Sequence, residues 1–117
     1  MRQAPSIDAY GGGGFRVSGA WRPGSLLILN DAPLDWPVRS MDALEPAAFD
    51  AVIVMKTEVE FVLLGTGVKQ TLPPRAIRET LAAAGIGLEF MSTEAAARTY
   101  NVLAAEGRRL AAALIAV

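Results

Sequence analysis

The sequence predicts an α/β fold: one three-layer domain with a mixed central sheet, in which an N-terminal β-hairpin is followed by β-α-β-α-β. Three observations lead there. At 117 residues the chain has room for one core. Hydrophobic residues make up 52% and charged residues 20% of it, a globular balance. From Phe61 onward, short apolar runs alternate with segments of helical periodicity, the mark of strands joined by crossover helices.

The first elements follow from period-two alternation. Ile7 and Tyr10 precede the glycines at 11–14, after which Phe15, Val17 and Ala20 alternate with Arg16 and Ser18, which predicts a half-buried strand. Pro23-Gly24 signals a turn, and Ser25 to Leu29 is an apolar run suited to a buried strand. Together these two runs predict an antiparallel hairpin. Asn30 to Pro37 reads as loop, punctuated by Pro33 and Pro37, with Trp36 folded back onto the domain.

Asp42 is placed to cap a short helix through Phe49, with Glu45 at the third position of a capping box and Pro46 tolerated in the first turn. Ala51 to Met55 reads as a buried strand, and so does Phe61 to Leu64. Pro73-Pro74 opens a helix carried by Ile77, Leu81 and Ala84 and ended by Gly85. Ile86 to Met91 is the next strand. Thr93 is the N-cap candidate for a helix to about Glu106, with Ala95, Thr99, Val102 and Leu103 on one face and Gly107 as its stop. Arg109 to Val117, apolar on both faces, predicts a final strand at or near the centre of the sheet.

The composition narrows function. The chain has no cysteine and no histidine, which excludes Cys/His metal sites, thiol chemistry, Ser-His-Asp triads and imidazole acid–base catalysis from its own side chains. No disulfide can form, no carboxylate cluster suggests a metal, and no cofactor motif is present. A net charge of −1 gives no reason to expect nucleic-acid binding. No apolar run is long enough to span a bilayer, and the expected setting is cytoplasmic.

Several positions could still hold a ligand or partner. The glycines at 11–14 lack the following helix and lysine of a phosphate loop, and read as a turn or bulge. Gly65-Thr66-Gly67 lies at the carboxyl end of a strand, where open α/β sheets form their crevice, and could equally be a tight turn. Ser92-Thr93, at the next strand end, could place a second set of amides beside it, or simply cap the helix. Tyr100, Asn101, Glu106 and Arg108 surround the last helix. A Glu106–Arg108 pair tying that helix to the final strand is their ordinary reading, and no nucleophile with an activating base emerges among them. Lys69, Arg75, Arg78, Arg108 and Arg109 could share a basic surface or stand as scattered solvated charges. Trp21 and Trp36 could be interface anchors or packing residues.

Phe61-Val-Leu-Leu-Gly-Thr-Gly67, Met91-Ser-Thr93 and Thr99-Tyr-Asn-Val-Leu-Ala-Ala-Glu-Gly-Arg108, closing on the apolar run 111–115, resemble the MTH-type domain of unknown function. Gly14 to Gly19, Trp21, Gly24 to Leu29 and Trp36 fit the same pattern, so the resemblance covers nearly the whole chain. That family includes bacterial and archaeal single-domain proteins, a mitochondrial respiratory complex I assembly factor and the adipogenesis-associated domain protein of animals. The resemblance implies a three-layer fold with a mixed sheet and no established enzyme activity. Its pattern positions are Gly65, Thr66, Gly67, Thr93, Tyr100, Asn101, Glu106, Gly107 and Arg108. The mitochondrial member has a targeting presequence and no such segment is seen here, so a bacterial cytosolic setting is expected.

Two functional expectations follow. The first is a non-catalytic protein-binding module, resembling an assembly or biogenesis factor for a respiratory or membrane complex, with an unidentified protein partner. The second is a small-molecule (anion or carboxylate) binder or minor enzyme using the crevice near Gly65-Thr66-Gly67 and Thr93. A homodimer formed through the hairpin or the Trp36 loop is compatible with either.

Overall fold

A computed structural model describes residues 3–117. The first three strands, β1 (Ile7–Gly11), β2 (Gly14–Val17) and β3 (Ala20–Pro23), form an antiparallel meander. A second, five-stranded sheet contains β4 (Ser25–Leu29), β5 (Ala32–Trp36), β6 (Phe61–Gly65), β7 (Gly87–Met91) and β8 (Leu110–Leu114) in the order β5-β4-β8-β6-β7. Its pairings are antiparallel on the β5-β4-β8 side and parallel across β8-β6-β7, so the sheet is mixed. The helices are α1 (Asp50–Val54), α2 (Arg75–Ala83), which joins β6 to β7, and α3 (Thr93–Ala105), which joins β7 to β8.

Side-chain alternation along the central strands divides the core into two. On one face Leu27, Val62, Leu64 and Ala113 pack with Phe49, Val52, Ile77 and Leu81 from the 41–54 segment and α2. On the other, Leu26, Ile28, Leu63 and Leu114 meet Ala96, Ala97 and Tyr100 of α3 and Ile7, Phe15 and Val17 of the small sheet. These are the three layers. Strand β8 lies in the middle and all five of its residues are buried, which explains its lack of a polar face.

Several local expectations are corrected. The segment 15–20 does not form a hairpin with 25–29; β2 pairs with β1 and β3, and β4 pairs with β5 and β8. Two-residue turns make the difference. Gly12 and Gly13 have φ of 63° and 82° and close β1 onto β2, the left-handed pair that favoured hairpin turns need. Asn30 and Asp31, with φ of 52° and 62°, do the same between β4 and β5. The segment expected as loop from Asn30 to Pro37 is therefore mostly strand, and Pro33 is accommodated because β5 is an edge.

Ala51 to Met55 is not a strand. Two 3-10 turns, Met41–Ala43 and Pro46–Phe49, lead directly into α1, of which only Val52 is buried while Val54 is 84% exposed. Phe49 and Val52 face the sheet at helical spacing, and this packing outweighs the β-propensity of the valines and isoleucine. Asp42 and Glu45 form no capping box: the caps are Ser40 and Glu45, neither with a side-chain bond. The buried face of α3 is Thr93, Ala96, Ala97, Tyr100 and Ala104, not the face through Thr99 and Val102, because the large ring of Tyr100 sets the orientation.

Candidate functional site

The carboxyl ends of β6 and β7 bring Gly65-Thr66-Gly67 against Ser92-Thr93. Thr93 is wholly buried. Its Oγ1 accepts from the Gly67 amide at 2.9 Å and donates to the Ile115 carbonyl at 2.7 Å, while its own amide donates to the Gly67 carbonyl at 2.8 Å. This hydroxyl is occupied by two other strand ends, so the N-cap falls to Ser92, whose Oγ accepts from the Ala95 amide at 3.3 Å. Thr66 donates its amide to Met91 at 2.9 Å; its hydroxyl donates to the Lys69 carbonyl at 2.6 Å and accepts from Thr71 at 3.1 Å.

Gly65 is dictated by packing. A Cβ there would stand 2.9 Å from Leu114 Cδ2, 3.0 Å from Thr93 Oγ1 and 3.1 Å from Thr93 Cα. Three strand ends and a helix start converge with no space for one more carbon. Beside this junction lies an open hollow of about 200 Å³, lined by Tyr10, Gly67, Val68, Glu94 and Val117. The Tyr10 phenol donates to Glu94 at 2.6 Å, and this bond pushes the phenol's pKa up.

The remaining motif residues stand elsewhere. Tyr100 donates from its hydroxyl to the Pro5 carbonyl at 2.7 Å. Asn101 accepts from the Ile7 amide and donates to the Ile7 carbonyl, both at 2.8 Å, as a neighbouring strand would. These two residues fasten the incoming chain and β1 to α3. Glu106 is the C-cap of α3. Arg108 pairs with Glu60 at 3.3 Å, not with Glu106, and its guanidinium lies 5.3 Å from the Phe61 ring centre. Because Phe61 opens β6 and Gly65 ends it, the nine residues fall into three separate groups.

Glu60 also accepts from the Arg109 amide at 2.8 Å. That bond, then the charge of Arg108, holds its carboxyl below the ordinary glutamate range. Of the two readings of the basic residues, scattered charges fit better: Arg75 pairs with Glu79, Arg78 donates to the Pro73 carbonyl, and Arg109 reaches Glu58. Among the described residues no group of acidic side chains could hold a metal ion, and no helix is long and apolar enough to cross a membrane.

A larger concavity lies on the opposite edge, between β5 and the 41–51 segment. It encloses about 510 Å³, with Leu27, Leu34 and Trp36 facing Ala43, Ala47 and Ala51. The Trp36 indole N–H donates to the Ala48 carbonyl at 3.0 Å, and its ring sits 5.8 Å from Phe49, which fixes this wall. Trp36 is thus a packing residue with a face on the groove, whereas Trp21 is 50% exposed on β3. Local pattern hides the groove, because 30–37 reads as loop and 51–55 as strand; Asn30-Asp31 ahead of an alternating run is the signal that points to β5.

Residues 7–115 match the family described as protein of unknown function (DUF498/DUF598). The chain belongs to this family. A relative, an uncharacterized protein of Rhodobacter capsulatus, is 38% identical over 93% of the chain and 82% of its own length. Rat NADH dehydrogenase (ubiquinone) 1 alpha subcomplex assembly factor 3 is 31% identical over 97% of the chain; the chain spans 61% of that protein's length. Among solved structures, an outer membrane protein of Bartonella henselae superposes with TM-score 0.86 at 37% identity, covering 97% of this chain and 96% of that one. A Bordetella pertussis protein described as an Mth938-like domain gives 0.83 at 27% identity, covering 99% and 90%. The MTH-type resemblance and the mixed α/β architecture are therefore both correct.

Proposed function

We propose that this chain is a non-catalytic protein-binding module that acts in the assembly of a respiratory or membrane complex, working from the cytoplasm. The observation that carries this reading is the inward use of the motif's polar groups. Thr66, Thr93, Tyr100 and Asn101 direct their hydrogen bonds to backbone groups of the chain itself. A catalytic or ligand-binding motif would present such groups to a cavity. The assembly role is drawn from the relative that carries the name of an assembly factor and matches nearly all of this chain.

The test uses the full chain, tagged in its native cells, cross-linked and purified, alongside a deletion strain whose respiratory complexes are resolved on native gels. Reproducible recovery of subunits or intermediates of one membrane complex, and loss of that complex on deletion, is the expected result. Unchanged complexes and no partner above background would sink the reading.

The alternative, an anion or carboxylate held between Gly65-Thr66-Gly67 and Thr93, has the engaged amides of Thr66, Gly67 and Thr93 against it, together with the carboxylate of Glu94 beside them. A thermal shift produced by phosphate or small carboxylates, and lost in Thr93→Val but kept in Thr93→Ser, would revive it.

A further inference from the structure

We propose that the groove between β5 and the 41–51 segment receives a basic amphipathic peptide segment, inserting an apolar side chain between Leu34 and Ala47 with lysine or arginine on either side. The proposal rests on the protein-binding reading above and names the partner's chemistry. Three features of the groove carry it.

The first is shape. At about 510 Å³ it lies within the range of roughly 300–1,000 Å³ typical of binding clefts, and one wall is built from alanines, which leave depth where larger side chains would fill it. The second is preorganisation. Trp36 is locked by its bond to Ala48 and its contact with Phe49, so the pocket exists before anything enters. Leu34, on the same strand face as Trp36, remains 40% exposed there and is available to a partner.

The third is charge. Every ionisable residue lining the groove is acidic: Asp35, Glu45 and Asp50. Asp35 is engaged by Arg22 at 3.0 Å. Among the described residues no ion pair engages Glu45 or Asp50, which flank the alanine wall. An apolar floor with uncompensated carboxylates on its rim is complementary to a peptide with an apolar anchor and flanking cations, and it repels an acidic one.

The experiment titrates the full chain with two fluorescently labelled 12-residue peptides of identical leucine and phenylalanine pattern, one flanked by lysine and arginine, the other by glutamate. Anisotropy gives affinity, and methyl NMR of Ala43, Ala47 and Ala51 gives location. The basic peptide is expected to bind at least about tenfold more tightly, and to weaken with salt. Its signals should localise to those alanines. Ala47→Leu should abolish binding, and Glu45→Lys with Asp50→Asn should erase the preference; all three positions are exposed, and an unchanged urea midpoint checks that each variant is folded. Equal affinity for the two peptides, no binding of either, shifts on another face, or dimerisation of the protein through the groove would each overturn the proposal. The cross-linking experiment separates the two claims. If Ala47→Leu still captures its complex in cells, the protein-binding reading stands and the groove assignment falls.

Discussion

The junction at the ends of β6, β7 and β8 and the groove beside β5 are opposite solutions to the same problem of strand ends. At the junction, Gly65, Gly67, Thr93 and Ile115 tie one another off through buried hydrogen bonds, leaving no vacancy for even one methyl group. At the groove, a hairpin edge stands away from a run of alanines and leaves an apolar hollow. The motif-like residues are at the closed place and the unremarkable ones at the open place. A sequence pattern can therefore mark how a fold is fastened without marking where it meets its partner.

If the junction is a fastening, breaking it should cost stability on a core-like scale. The largest effect is expected from Thr93→Val, which preserves shape but removes the hydroxyl serving Gly67 and Ile115. Each stranded buried group costs about 1–3 kcal/mol, so urea unfolding should show a loss on the order of 3 kcal/mol. A loss below about 1 kcal/mol would mean that water satisfies these groups and that the junction is more open than its packing indicates. Gly65→Ala comes next. Its Cβ would crowd Leu114 and Thr93, and overpacking of this kind costs about 1–3 kcal/mol. A neutral Gly65→Ala would show that the strand ends can separate, and would restore the case for a ligand crevice.

Asn101 sharpens the comparison, since it is a motif residue that fastens a different part. Asn101→Ala removes two bonds to the Ile7 backbone, each worth about 0.5–1.5 kcal/mol net. Amide exchange should accelerate first in β1 and leave β6 and β8 protected. Uniform acceleration across both sheets would instead make the small meander part of one cooperative unit with the main sheet.

What was legible in the sequence follows the same division. The parallel half was readable because Phe61–Gly65, the helix of Ile77 and Leu81, and the doubly buried Leu110–Leu114 have patterns with one physical solution. The final strand's place in the middle followed from its lack of polar residues. The antiparallel half was misread where a short apolar run has two solutions: Ala51–Met55 is too short for periodicity to distinguish strand from helix, and the tertiary contacts of Phe49 and Val52 decided it. Pro33 masks β5, although an edge strand tolerates it. At the candidate site, Gly65, Thr66, Gly67 and Thr93 were grouped correctly in space. The occupation of their amides by oxygens 25 or more residues away, the Met91 and Gly67 carbonyls and the Thr93 hydroxyl, depends on register, which local pattern does not contain.

The acid side of the stability profile offers a smaller test, at the far end of β6. The Arg109 amide, followed by the charge of Arg108, depresses the Glu60 carboxyl in the folded chain below its ordinary 4.5. A depressed carboxylate stabilises the fold fully above its unfolded value, and the contribution disappears as pH falls through the folded value. Glu60→Gln should therefore be somewhat less stable than the parent at neutral pH, and the two unfolding curves should converge below pH 4.5. Asp8, held down by the Ser6 hydroxyl and then by the Gly19 amide, adds a parallel acid sensitivity within the meander. Curves that stay separated to low pH would assign the Glu60 effect to packing around Arg108 and Phe61 rather than to charge.

The smallest effect should come from the groove itself. Ala47 is exposed, on a wall that packs against nothing on its open side. Ala47→Leu adds apolar volume to empty space and breaks no hydrogen bond, so unfolding free energy should stay within about 0.5 kcal/mol of the parent, as for surface changes generally. A clear gain in stability would mean that leucine closes the hollow as a missing piece of core. The groove would then be a packing defect rather than a surface kept open, and the contrast with the junction would lose its functional meaning. A neutral result keeps the two regions distinct: at the junction one added methyl should destabilise the fold, while at the groove three added carbons should leave it unchanged.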